Sequence, residues 1–76
     1  MDINKPENNI YYIIEVSISG EKLYMYSKRV GLHFPDIAKK FMHKRSAQRY
    51  YKDSYFDTVH CPVRYLEYDK ENDKIL

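Results

Sequence analysis

The ten residues from Ile10 to Ser19, IYYIIEVSIS, constrain this chain more than any other stretch. Five of them are Ile or Val. Branching at Cβ crowds the preceding turn of a helix but suits a pleated strand. With a period of two, Ile10, Tyr12, Ile14, Val16 and Ile18 fall on one face, and Tyr11, Ile13, Glu15, Ser17 and Ser19 on the other. The first face is the expected core. The stretch predicts a β-strand over 10–19.

The remaining elements are arranged around this strand. Ser19-Gly20-Glu21-Lys22 is a turn, in which Gly20 supplies the positive φ that tight hairpins need. Residues 22–30 return as a second strand. Leu23 and Met25 share one of its faces and Tyr24 and Tyr26 the other; the two sets are similarly apolar, so the sequence leaves the buried face open. Residues 31–35 form a connection whose Leu32 and Phe34 are expected to tuck under a helix. Asp36 can cap a short helical turn over Ile37–Phe41. Residues 43–54 predict the main helix, with Ala47, Tyr50 and Tyr51 spaced to share a face. Residues 60–68 predict a third strand, with Pro62 confined to an edge or to the strand's first residue because it lacks an N–H. Residues 1–9 predict a flexible arm and 69–76 a charged tail. The chain of 76 residues is the size of one domain. The fold expected is therefore α+β, β-β-(short α)-α-β over 10–68: a three-stranded antiparallel sheet of order 2-1-3 under one helical layer.

The sequence offers little reaction chemistry. His60 and Cys61 are neighbours on a predicted strand and point to opposite faces, so they do not pair as base and nucleophile. His33, His43, His60 and Cys61 lack metal-ligand spacing. Gly20 and Gly31 stand alone, so no phosphate-cradling loop is present. One cysteine forms no internal disulfide. No apolar run approaches a membrane span, and the first residues lack a secretory-signal layout. The expectation is a non-enzymatic cytoplasmic protein with no cofactor and no metal.

Two surfaces remain as candidates. The first is aromatic. Nine of the 76 residues are Tyr, a count that AT-rich coding or a binding role explains equally well. A sheet with one helical layer leaves its other face free. Tyr11, Ile13, Tyr24, Tyr26 and Tyr65 are expected there as a partner-binding face, for a host protein or a second copy in a homodimer. The second is basic. Between Ile37 and Lys52 there are six Lys or Arg and no acid. Lys40, Lys44, Arg45, Arg49 and Lys52 make an alternative surface, for an acidic protein or for the phosphates of a nucleic acid. A plainly solvated helix face carries the same residues.

Asp36-Ile37-Ala38-Lys39-Lys40-Phe41, followed by Ala47 and Tyr50, resembles a pattern in small proteins encoded by phages and prophages of Gram-positive bacteria. Their pattern reads D-x-A-K-x-F and then A-x-x-Y, between two strands and a final strand, and it spans roughly 10–68. Ala38, Phe41, Ala47 and Tyr50 occupy the matching positions. The resemblance implies a mobile-element accessory protein that binds and inhibits a host protein, with an anti-CRISPR-like defence target among the options. A net charge of +2 sets the chain apart from acidic DNA mimics.

Overall fold

The computed structural model describes residues 9–76. The expected arm over 1–9 lies, but for Asn9, outside them. Strands β1 (Ile10–Ile18), β2 (Glu21–Met25) and β3 (Gly31–Leu32) come first, then a 3₁₀ turn over Pro35–Ile37. Helices α1 (Lys44–Tyr51) and α2 (Tyr55–Thr58) follow, then β4 (Val63–Asp69) and β5 (Lys74–Ile75). The strands form one curled antiparallel sheet in the order β3-β2-β1-β4-β5.

This corrects the fold expected from the sequence. The sheet has five strands, not three in the order 2-1-3, and two short helices accompany it. The physical reason is that β3 and β5 are two residues each. Two residues carry no periodicity, so such strands are specified by the turns that lead into them.

The β1–β2 hairpin comes before them in the chain. Ser19 and Gly20 both have positive φ, 52° and 81°, between the paired residues Ile18 and Glu21. That is the two-residue turn whose twist matches the flanking strands. The expected second strand over 22–30 stops at Met25. Tyr26 and Ser27 donate their N–H groups to the Val30 carbonyl at 2.8 and 3.2 Å. The Ser27 hydroxyl accepts from the Val30 N–H at 3.2 Å. The chain thus reverses over 26–30 and re-enters as β3, with Gly31 opposite Met25. Phe34, expected beneath a helix, is 64% exposed.

The helical turn expected over Ile37–Phe41 is also replaced. Lys39 donates to the Met25 carbonyl at 2.9 Å. Tyr12 and Phe41 exchange both backbone bonds, at 2.7 and 2.9 Å. β2 pairs with β1 only from Glu15 onward, so the edge of β1 at Tyr12 needs another partner, and Phe41 supplies it. A helical turn would use the same N–H internally and leave Tyr12 unpaired.

The main helix ends earlier than the expected 43–54. Asp53 takes a positive φ of 64°, and the Ser54 hydroxyl caps α2 by accepting the Asp57 N–H at 3.2 Å. The Asp57 carboxylate in turn accepts the Asp53 N–H at 2.9 Å. Residues 69–76 fold back on β4: the Asp69 carboxylate accepts the Glu71 and Asn72 N–H groups and the Asn72 amide, and β5 then pairs with Tyr68 and Asp69.

Both faces of β1 are buried. On the helical side Ile14, Val16 and Met25 pack with Ala47, Tyr51 and Phe56. On the other side Ile13 and Tyr68 pack with Ala38, and Tyr24, Leu66 and Ile75 close around them. The second layer is built from the 3₁₀ segment and β5, the parts of the chain with the least regular pattern.

Candidate binding surfaces

The five residues expected on one aromatic face are not brought together. Ile13 is fully buried. Tyr65 lies opposite Ile14 on the helical side, edge-on to Tyr51 at 6.4 Å between ring centroids. Tyr24 stands across from the buried Glu15 in the second layer. Tyr11 is half-buried, with the Lys70 ammonium 5.7 Å from its ring centroid. Only Tyr26 is well exposed, at 57%. The tyrosines of this protein serve mainly as core. Burial pushes Tyr51, Tyr65 and Tyr24 above the usual phenol range, with neighbouring carboxylates adding to the shift. Tyr68 is pushed up to about 12, by burial first and then by Asp73, whose carboxylate accepts its hydroxyl at 3.2 Å.

The basic residues behave differently. Lys40 leaves the set: its ammonium donates to the carbonyls of Asp36 and Ala38 at 2.6 and 3.1 Å and sits 4.9 Å from the Tyr68 ring centroid. It closes the second layer, and desolvation lowers its pKa. Lys44, Arg45, Arg49 and Lys52 are exposed. Ala47 and Tyr51 anchor α1 to the sheet. At 3.6 residues per turn, Arg45, Arg49 and Lys52 fall at i, i+4 and i+7 on the side away from that anchor, spread along about 10 Å.

The structure adds one cation from outside the expected basic stretch, Lys28. Lys28, in the 26–30 turn, and Lys39 approach the Tyr50 ring at 5.4 and 5.2 Å. Phe41 packs on the same ring at 5.3 Å. The Tyr55 N–H donates to the Lys28 carbonyl at 2.9 Å, joining that turn to α2. Residues 28–52 hold eight Lys or Arg and one acid, +7, while the rest of the chain holds five and ten, −5. Among the described residues the ion pair is Arg64 with Glu15 at 3.6 Å, so none of the cations of 28–52 is neutralised by a carboxylate. The signal available in the sequence was this charge count, had it been extended upstream across the 31–35 connection.

Exposed apolar side chains adjoin the basic region. Tyr26 (57%) and Val30 (42%) flank the turn; Tyr55 (52%) and Val59 (46%) lie on and just after α2. A depression of about 410 Å³ at the start of α1 is lined by His43, Arg45 and Ser46. Among the described residues no group of three or more His, Cys, Asp or Glu is placed to hold a metal ion. None of their helices is long and apolar enough to cross a membrane.

No protein-family model, curated protein or solved structure matches this chain.

Proposed function

We propose that this protein is a non-enzymatic binding module that engages a polyanionic partner through the outer side of α1 and the adjoining 26–30 turn. The observation that carries this reading is the segregation of charge: a +7 segment in a chain of net +2, with no carboxylate paired to it among the described residues. Lys40 apart, the cations Lys28, Lys44, Arg45, Arg49 and Lys52 are exposed; uncompensated cations close together repel one another and lower stability, and a bound polyanion removes that cost. The pattern shared with small phage proteins supports a setting in which the bound partner is a host component and binding inhibits it.

The test is a titration with heparin as polyanion probe at low and moderate salt. The parent protein is expected to bind and to weaken steeply as salt rises. Arg45→Glu with Arg49→Glu is expected to abolish binding while leaving the circular dichroism spectrum unchanged, since both side chains are exposed. A folded double variant that binds like the parent refutes the reading.

A further inference from the structure

Resting on that reading, we infer that the polyanion is a single-stranded nucleic acid, with phosphates on the cations of α1 and bases stacked on Tyr26 and Tyr55. The two rings are the exposed exceptions in a protein whose other tyrosines are at least half-buried: they are 57% and 52% accessible. Each is tied by the backbone to a segment that carries a cation. Tyr26 opens the turn that contains Lys28 and is closed onto Val30 by a 2.8 Å bond. Tyr55 donates its N–H to the Lys28 carbonyl at 2.9 Å and lies three residues beyond Lys52. Tyr55 thus follows the row Arg45, Arg49, Lys52 in the chain and is joined by its backbone to the turn that holds Tyr26 and Lys28, whose ammonium reaches Tyr50 of α1.

A single strand presents a charged backbone on one side and flat apolar bases on the other. It is bound by a positive track with aromatic platforms beside it, and stacking tolerates any base. A duplex keeps its bases inside the stack and has no use for the two rings. An acidic protein partner is less well matched, because the centres of protein interfaces are depleted in charge and in Lys. Here α1 presents no apolar side chain outward, and the two exposed rings lie outside it, on the turn before β3 and on α2. Tyr50 is not a platform, since Lys28, Lys39 and Phe41 already occupy its ring.

The experiment is fluorescence anisotropy with labelled oligo-dT, a duplex of equal length and poly-glutamate, across a salt series. Oligo-dT is expected to bind tightest. Four cations, Lys28, Arg45, Arg49 and Lys52, give a slope of log K against log salt of about −3. Tyr26→Ala and Tyr55→Ala are each expected to weaken oligo-dT binding by roughly 5- to 150-fold and to leave the salt slope unchanged. Both positions are exposed, so the variants should fold, and circular dichroism checks this. If the tyrosine variants bind oligo-dT like the parent, or the duplex binds tighter than the single strand, the inference is overturned. If poly-glutamate equals oligo-dT, the inference falls while the polyanion reading stands. If no polyanion binds at low salt, both fall.

Discussion

Replacing Ile13 by Ala removes three carbons from a side chain with no solvent-accessible surface, enclosed by Ala38, Tyr68, Tyr24, Leu66 and Ile75. At about 0.8 kcal/mol per buried methylene the transfer loss alone is about 2.4 kcal/mol. The cavity left between the sheet and the 3₁₀ segment adds to it, for a total of about 2.5–4 kcal/mol. In a domain of this size 1 kcal/mol moves the melting midpoint by roughly 4–8 °C, so the midpoint should drop by about 10–30 °C. The assay is urea unfolding followed by far-ultraviolet circular dichroism, with Ile14→Ala as the matched deletion in the helical layer. The two variants should cost similar amounts, since both residues are fully buried. Ile13→Val, expected to cost about 0.5–1.5 kcal/mol, keeps the comparison measurable if the alanine variant does not fold. If Ile13→Ala is within about 0.5 kcal/mol of the parent while Ile14→Ala is severely destabilised, the second layer does not exist, and Ile13 faces water as strict alternation implies.

Three further outcomes are expected. Gly31→Ala places a Cβ 3.0 Å from the Leu23 Cβ and 3.2 Å from the Phe56 ring; overpacking of this kind should cost about 1–3 kcal/mol in the urea assay, and an unchanged midpoint would remove the reason given for glycine there. Ser54→Ala loses the hydroxyl that caps α2 and should cost about 1 kcal/mol, whereas Ser54→Gly should cost only a few tenths; equal losses would show that the hydroxyl's packing matters more than its cap. Tyr68 titrates near pH 10 in the unfolded chain and at about 12 in the folded protein. Its contribution is therefore complete below pH 10 and is lost as pH rises from 10 towards 12. Tyr24, Tyr51 and Tyr65 act in the same direction. Unfolding midpoints measured across this window should fall, and fall less in Tyr68→Phe; a flat profile would contradict the buried phenol.

Where the chain repeats a pattern over many residues, the sequence disclosed the structure. The alternation of 10–19 located β1 (Ile10–Ile18), and Gly20 marked its turn. The spacing of Ala47 and Tyr51 identified the side of α1 that packs on the sheet. Alternation also misled, because it sorts side chains into two faces without saying whether both are covered. Strict alternation places Ile13 on an open face, yet Ala38 and Ile75 close over it from segments that have no period of their own. The tyrosine surface failed for the same reason: Tyr24 and Tyr65 went to opposite layers. The basic residues of α1 were visible in the sequence. Their continuation onto Lys28, and the withdrawal of Lys40 onto backbone carbonyls, depend on a chain reversal at 26–30 and an extended segment at 39–41 that short-range signals do not reveal.

The position of β1 also bears on how the protein acquires its structure. β1 is synthesised before the rest of the sheet, yet its long partner is β4, with Ile10 opposite Asp69 and Val16 opposite Val63. The local hairpin covers one edge of β1 only from Glu15 to Ile18. Phe41 reaches Tyr12 later, and β4 later still. Pairings this distant in sequence close slowly. Until residues 63–69 leave the ribosome, a strand rich in Ile, Val and Tyr has the whole edge that β4 will take unpaired, the condition in which nascent chains associate with one another or with chaperones. The arrival of β4, more than the closing of the hairpin at Gly20, sets how long that exposure lasts.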